Sequence, residues 1–242
     1  MDTRNSALSR PVKAELYLLL EEPQVIAGVE VIAGSLPEEI SHSTIDVSLW
    51  SAEEKTKLME HGAYGYYSFR LGADPVGDFI EAYRWLLGVE GLIGVVNPLG
   101  ATAHAALWIR RLFEDDLAEV ARQCPPLHLW TGLVPVQVEP SWEALIVGQM
   151  APLWLRTVGY GQFGLPDLAH PMHDLREAGW IHATFEGLFD WMYYEKVVLA
   201  PGMGIEVPER GRFVVGEFGV PGVLALSPYE ESDSLSSAGA LG

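Results

Sequence analysis

A chain of 242 residues that is 49% apolar, with eight Trp, nine Tyr and eight Phe, has the material for a packed core and is not a disordered polymer. Its 33 Asp and Glu against 15 Lys and Arg give a formal net charge of -18. That field repels phosphate backbones and anionic membranes, so neither nucleic acid nor a lipid surface is expected as a partner. No apolar run approaches the ~20 residues that span a bilayer. The start lacks the pattern of a secretory signal, and the single Cys124 can form no intrachain disulfide. A soluble, cytoplasmic protein is the expectation.

Residues 1–11 are polar, end at Pro11 and read as a flexible arm. Glu15 to Leu20 predicts a buried strand closed off by Pro23, with shorter strand candidates at Val29–Ile32 and Ile45–Trp50. In Tyr64–Leu71, alternation puts Tyr64 and Tyr66 on one face and Tyr67 and Phe69 on the other, as in a central strand covered on both sides. Asp74-Pro75 supplies an N-cap and a first helical residue. Val76, Phe79, Ile80, Tyr83, Leu86 and Leu87 follow at helical spacing and Gly88 closes the segment. Leu92–Val96 predicts a strand ending at Asn97-Pro98. A second helix is then expected to carry Ala105, Trp108, Ile109, Leu112, Leu117 and Val120, and to end before the prolines at 125 and 126, the clearest internal boundary.

Beyond that boundary, Leu127–Val138 reads as a strand interrupted at Pro135, and Trp154–Gly161 as another. Gly159, Gly161 and Gly164 remove side chains from that second strand and invite close approach by another element, before Leu165-Pro166-Asp167 stops it. The same glycines spell Gly-x-Gly-x-x-Gly. A dinucleotide fingerprint requires the helix to begin inside the glycine loop, whereas Leu165-Pro166 intervenes here, so a structural role is expected. The longest helix is predicted from about Leu175 to Val197, with Leu175, Ala178, Ile181, Phe185, Leu188, Phe189 and Met192 inward. Arg212–Phe218 and Val223–Leu226 predict a closing hairpin around Gly219-Val220-Pro221-Gly222. Residues 229–242, acidic and then rich in Ser and Gly, read as a disordered tail. Strands outnumber helices and often follow one another directly. The fold class expected is therefore α+β: mixed or antiparallel sheets with helices packed on one face, in two loosely similar halves, 12–125 and 126–228.

Three islands carry a family resemblance. They are Tyr17-Leu18-Leu19-Leu20-Glu21-Glu22-Pro23, the strand–helix–strand block ending at Val95-Val96-Asn97-Pro98, and Thr157-Val158-Gly159-Tyr160-Gly161-Gln162-Phe163-Gly164-Leu165-Pro166-Asp167-Leu168. Their order over most of residues 15–200 resembles an uncharacterised bacterial family, domain of unknown function 4261. The third island is the most specific, since that family has a glycine-bearing strand ending in Gly-Leu-Pro-Asp. The segment between Val25 and Gly62 is shorter than the family pattern. The resemblance implies an α+β fold and a bacterial origin. It supplies no activity and no catalytic residues.

For chemistry, the most suggestive group is His170 and His173, three apart, with His182 and Glu186 one helical turn apart farther on. If the first pair lies on a helical turn, all four are metal-ligand candidates. Pro171 resists that turn, and no His-Glu-x-x-His motif is present. Cys124 with His128 lacks a third group to orient a thiol–imidazole pair, and there is no nucleophile elbow. The aromatic run at Tyr64–Phe69 has only Arg70 as a cationic companion, unlike a base-stacking platform. No cofactor is expected. The reading that follows is a non-catalytic, acidic, intracellular bacterial protein that binds another protein, a cationic partner of the immunity or inhibitor type. Two alternatives stand beside it: a metal-dependent or small-molecule enzyme using the His170/His173/His182 region, and a structural subunit of an assembly.

Overall fold

The computed structural model describes residues 13–37, 45, 51–99, 106–110, 125–137 and 153–229. The arm at 1–11, most of Ile45–Trp50, Cys124 and most of the tail lie outside these residues. The chain divides into two units, Met1–Gly132 with Val158–Leu165, and Leu133–Thr157 with Pro166–Gly242. The expected halves meet at the prolines 125 and 126; Val158–Leu165 belongs with the first unit, where Phe163 packs against Phe79 and Trp130.

In the first unit, five strands form an antiparallel sheet in the order β2-β3-β1-β4-β5: β1 (Lys13–Leu20), β2 (Val29–Ala33), β3 (Ala63–Arg70), β4 (Leu92–Asn97) and β5 (Ala106–Ile109). Leu18 lies opposite Gly65 on one side and Val95 on the other. Strand alternation therefore gathers Leu16, Leu18, Tyr67, Phe69 and Val95 on one face, and Tyr17, Leu19, Tyr64, Tyr66 and Val96 on the reverse. Helix α1 (Ala52–Met59) starts from a capping box in which Ser51 and Glu54 satisfy each other's backbone N–H groups. It lays Leu58 into a cluster with Leu19, Leu36, Ile45, Val96 and Leu107.

Helix α2 (Pro75–Leu87) is capped by Asp74, whose Oδ1 accepts the Gly77 N–H at 3.2 Å. It covers the opposite face, with Phe79 edge-on to Phe69 at 5.2 Å and Trp85 stacked on Tyr67 at 4.6 Å. The sheet thus carries a helix on each face, where packing on one face is expected. The central-strand reading of Tyr64–Leu71 is the reason: with apolar side chains on both faces, one helix cannot remove both from water.

The expected helix through Trp108 and Ile109 is a strand over Ala106–Ile109, with Trp108 opposite Val95. A short apolar run satisfies either period, and pairing with β4 decides it. The remainder of that expected helix lies outside the described residues.

The second sheet has six strands in the order β6-β7-β8-β11-β10-β9. Their ranges are β6 (Gly132–Gln137), β7 (Leu153–Val158), β8 (Asp167–Met172), β9 (Gly204–Val207), β10 (Gly211–Glu217) and β11 (Val223–Pro228). β8 and β11 run parallel while β7–β8, β9–β10 and β10–β11 are antiparallel, so the sheet is mixed. Leu127–Leu129 is a 3-10 turn and the strand begins only at Gly132. Pro135 is accommodated because β6 lies at the sheet edge, where a missing N–H breaks no ladder.

The glycine run is not a strand. β7 stops at Val158, Gly159 takes a φ of 107°, and Tyr160–Phe163 makes a 3-10 turn that ends at Gly164, φ 75°. Helix α3 (Ala178–Tyr193) buries Ile181, Phe185, Leu188, Phe189 and Met192 as expected. Leu175 is 76% exposed, because Leu175–Glu177 is a separate 3-10 turn capped by Asp174. Among the described residues no helix is long and apolar enough to cross a membrane.

Candidate functional site

His170 lies in β8 with its imidazole inside the second unit, 5% exposed. Its Nδ1–H donates to the Leu226 carbonyl of β11 at 2.7 Å. Trp180 and Phe213 meet the ring edge to face at 5.0 and 5.2 Å, and the Arg210 guanidinium lies 5.1 Å from the centre of the Trp180 ring. Burial in this apolar surround pushes the imidazole pKa below its ordinary value, more than the Leu226 carbonyl and Glu177 pull it back. The space beside the ring is about 10 Å³, enough for a single water and for no substrate.

The other metal candidates are elsewhere. His173 is exposed on the turn after β8, where its backbone N–H donates to Glu177 at 2.7 Å. Asp174 forms the cap and pairs with Arg176 at 2.5 Å. His182 and Glu186 face each other at 3.8 Å on α3, both side chains partly exposed. Among the described residues no group of three or more His, Cys, Asp or Glu is disposed to hold a metal. Metal-ligand spacing of His170 and His173 requires a helical turn at His170, and the chain is a strand there. β8 carries the His170 ring into the core, whereas His173 lies past the end of the strand on an exposed turn.

A consequence follows for pH. Burial depresses the folded pKa of His170, so the unfolded chain binds the proton first as pH falls. The stability that depends on a neutral His170 is present above about pH 6.5 and is lost below it. His170→Gln, whose amide can still donate to Leu226, is expected to flatten the acid side of the stability profile. Melting curves of the two chains across this range should diverge below about pH 6.5; parallel curves would show that His170 titrates as freely folded as unfolded.

A second polar group had no sequence signal. Arg156 on β7 pairs with Asp167 at the start of β8 at 3.2 Å, both side chains largely buried. Thr157 donates to the same carboxylate at 3.4 Å and accepts the Leu168 N–H at 2.8 Å. The Asp of the Leu-Pro-Asp island thus ties two neighbouring strands together, and the Arg156 charge is matched by a carboxylate and not presented to a ligand.

In the first unit, a cavity of about 460 Å³ opens beside α1, with Leu58, Ile93 and Ile109 as its apolar floor. Its charged groups are engaged: Lys57 with Glu53 at 2.8 Å, Glu54 in the capping box, and Arg110 on the carbonyls of Leu87 and Val89 at 2.6 and 2.8 Å. Among the described residues no base or nucleophile is poised there.

The tyrosine face of the five-stranded sheet is tied to acidic groups. Tyr17 meets Tyr66 edge to face at 5.8 Å, and hydrogen bonding to Glu15 pushes the Tyr66 hydroxyl up to about 12. Glu15 is held below its ordinary value by the Lys13 ammonium 2.6 Å away, with Tyr66 adding to that effect. At one end of the same sheet the backbone connections place four exposed glutamates on neighbouring loops. The Glu21 N–H donates to Gly91 at 2.9 Å and the Gly62 N–H donates to Glu21 at 3.1 Å. Glu21, Glu22, Glu60 and Glu90 therefore share one rim, and none has an ion-pair partner among the described residues. Comparisons with protein-family models, with curated proteins and with solved structures find no match to this chain.

Proposed function

We propose that this protein acts by binding another protein of opposite charge, in the manner of an immunity or inhibitor protein, and performs no reaction itself. The observation that supports it best is the rim of Glu21, Glu22, Glu60 and Glu90, exposed and, among the described residues, without basic partners, on a chain of net charge -18. Like charges held together raise the local potential, which steers a cationic surface to that end and fixes its orientation. The reading takes the chain as an intracellular bacterial protein, in keeping with the resemblance to domain of unknown function 4261. The enzyme alternative needed the histidines to converge, and they are dispersed over strand, turn and helix.

The test is capture at low salt by the native chain and by a charge-reversed chain, Glu21→Lys, Glu22→Lys, Glu60→Lys and Glu90→Lys. All four positions are exposed, so the melting temperature is expected to stay close to native. The native chain should retain a basic protein in one-to-one ratio and release it as the Debye length shrinks to a few ångströms near ~1 M salt. The reversed chain should retain none. Equal capture by both chains, or retention indifferent to salt, would sink the reading.

A further inference from the structure

We propose that the outer edge of β2 receives an extended, positively charged segment of the partner as an additional strand; this rests on the reading above and names where contact is made. β2 is the end strand of its sheet and its described ladder is with β3 alone. The direction of its backbone groups follows from one hydrogen bond. The Gly34 N–H donates to Gly62 at 2.8 Å, continuing the register in which Ala33 faces Ala63. In an antiparallel ladder, hydrogen-bonded pairs alternate with pairs that exchange none. Ile32 and Glu30 therefore turn their N–H and C=O groups toward β3, while Val31 and Ala33 turn theirs away. Among the described residues, nothing bonds Val31 or Ala33 from that outer side.

Sheet edges are commonly protected by proline, charged side chains (lysine above all), a bulge or brevity, and on β2 Glu30 is the single charge. In the second sheet, β6 has Pro135 and β9 is only four residues long. β2 reads Val-Glu-Val-Ile-Ala, without proline, lysine or glycine, and its Ile32 is 40% exposed. An added strand would set side chains beside Glu30 and Ile32 on one face and beside Val31 on the other. Glu30 is exposed, and Glu15 lies on the same sheet face across Tyr66.

Charge decides between the two occupants such an edge accepts. A second copy would bring another -18 and, paired antiparallel about Val31, would set Glu30 against Ile32 with no opposite charge. A strand that alternates basic and β-branched residues places a cation beside Glu30 and an apolar side chain beside Val31, with main-chain bonds to Val31 and Ala33.

The experiment uses the full chain, nitrogen-15 labelled, at low salt. Its probes are an octapeptide alternating Lys and Val, and the same octapeptide with alternate backbone nitrogens methylated. The plain peptide should shift the Val31 and Ala33 amide signals and slow their exchange with solvent, and added salt should weaken it. The methylated peptide has the same charge and cannot pair, so it should bind at least about tenfold more weakly. Val31→Pro removes an N–H that β3 does not use and should weaken the plain peptide by a similar factor at an unchanged melting temperature. If that variant fails to fold, the comparison of the two peptides decides alone. Equal binding of both peptides would overturn the edge while leaving the charge reading standing, and binding of neither would overturn both. Self-association through Val31 and Ala33 that strengthens with salt would assign the edge to a second copy and overturn the proposal.

Discussion

Phe79→Ala will remove about 3–5 kcal/mol from the stability of the first unit. Phe79 has no exposure to solvent. It is the shared neighbour of three other rings: Phe69 edge-on at 5.2 Å, Trp130 stacked at 5.3 Å and Phe163 tilted at 5.5 Å. Those rings come from β3, from the segment after the 3-10 turn at Leu127–Leu129, and from the glycine turn. Truncation would leave a void walled by rigid aromatic planes, which cannot collapse inward as flexible aliphatic chains do. Nor can Trp130 move freely, since its carbonyl accepts the Gln162 amide at 3.0 Å. Against a total of about 5–15 kcal/mol for an ordinary domain, such a loss is a large fraction. Trp85→Ala serves as the control. Its ring stacks on Tyr67 but is 38% exposed, and about 1–2 kcal/mol is expected. Denaturant unfolding followed by tryptophan fluorescence would measure both; equal shifts would mean that the ring cluster does not hold the unit together.

Those same rings mark what the sequence discloses. Where a segment states its period and its ends locally, the structure follows it. Asp74-Pro75 caps α2, the inner face of α3 is the predicted one from Ile181 to Met192, and the β10–β11 hairpin turns at Gly219–Gly222. Where partners are distant, local pattern misleads. Trp108 and Ile109 fit a helix until β4 claims them, and β8 hides behind Pro166 and Pro171 because its parallel mate β11 comes only after α3 and the β9–β10 pair. The histidine group disperses for the same reason: its metal-ligand spacing holds only on a helix, and at His170 the chain is a strand. The Arg156–Asp167 pair leaves no trace in local pattern, since neither residue type nor spacing distinguishes it from two surface charges.

The glycine run gives the other large effect, and an asymmetry. Gly159→Ala is expected to cost about 2–4 kcal/mol, from the left-handed backbone and the lost room together. At φ 107° an L side chain is strained before any neighbour is considered. Its Cβ would also lie 3.0 Å from the Trp130 carbonyl oxygen, 3.2 Å from the Gln162 amide nitrogen and 3.2 Å from a Leu99 methyl. Gln162 is buried and bonds both Trp130 and Gly159, so displacing it leaves polar groups unsatisfied in the core. Gly161→Ala should change stability by less than about 0.5 kcal/mol, because it is exposed, its φ is not left-handed and nothing lies within 4 Å of the added carbon. A strand cleared of side chains along one face would make the two positions alike, since residues 159 and 161 would share that face. A 3-10 turn entered through a left-handed glycine makes them opposites. Matched denaturation curves of the two variants therefore separate a turn whose first residue must be glycine from a strand that must lie close to its neighbour. Equal losses at both sites would restore the strand.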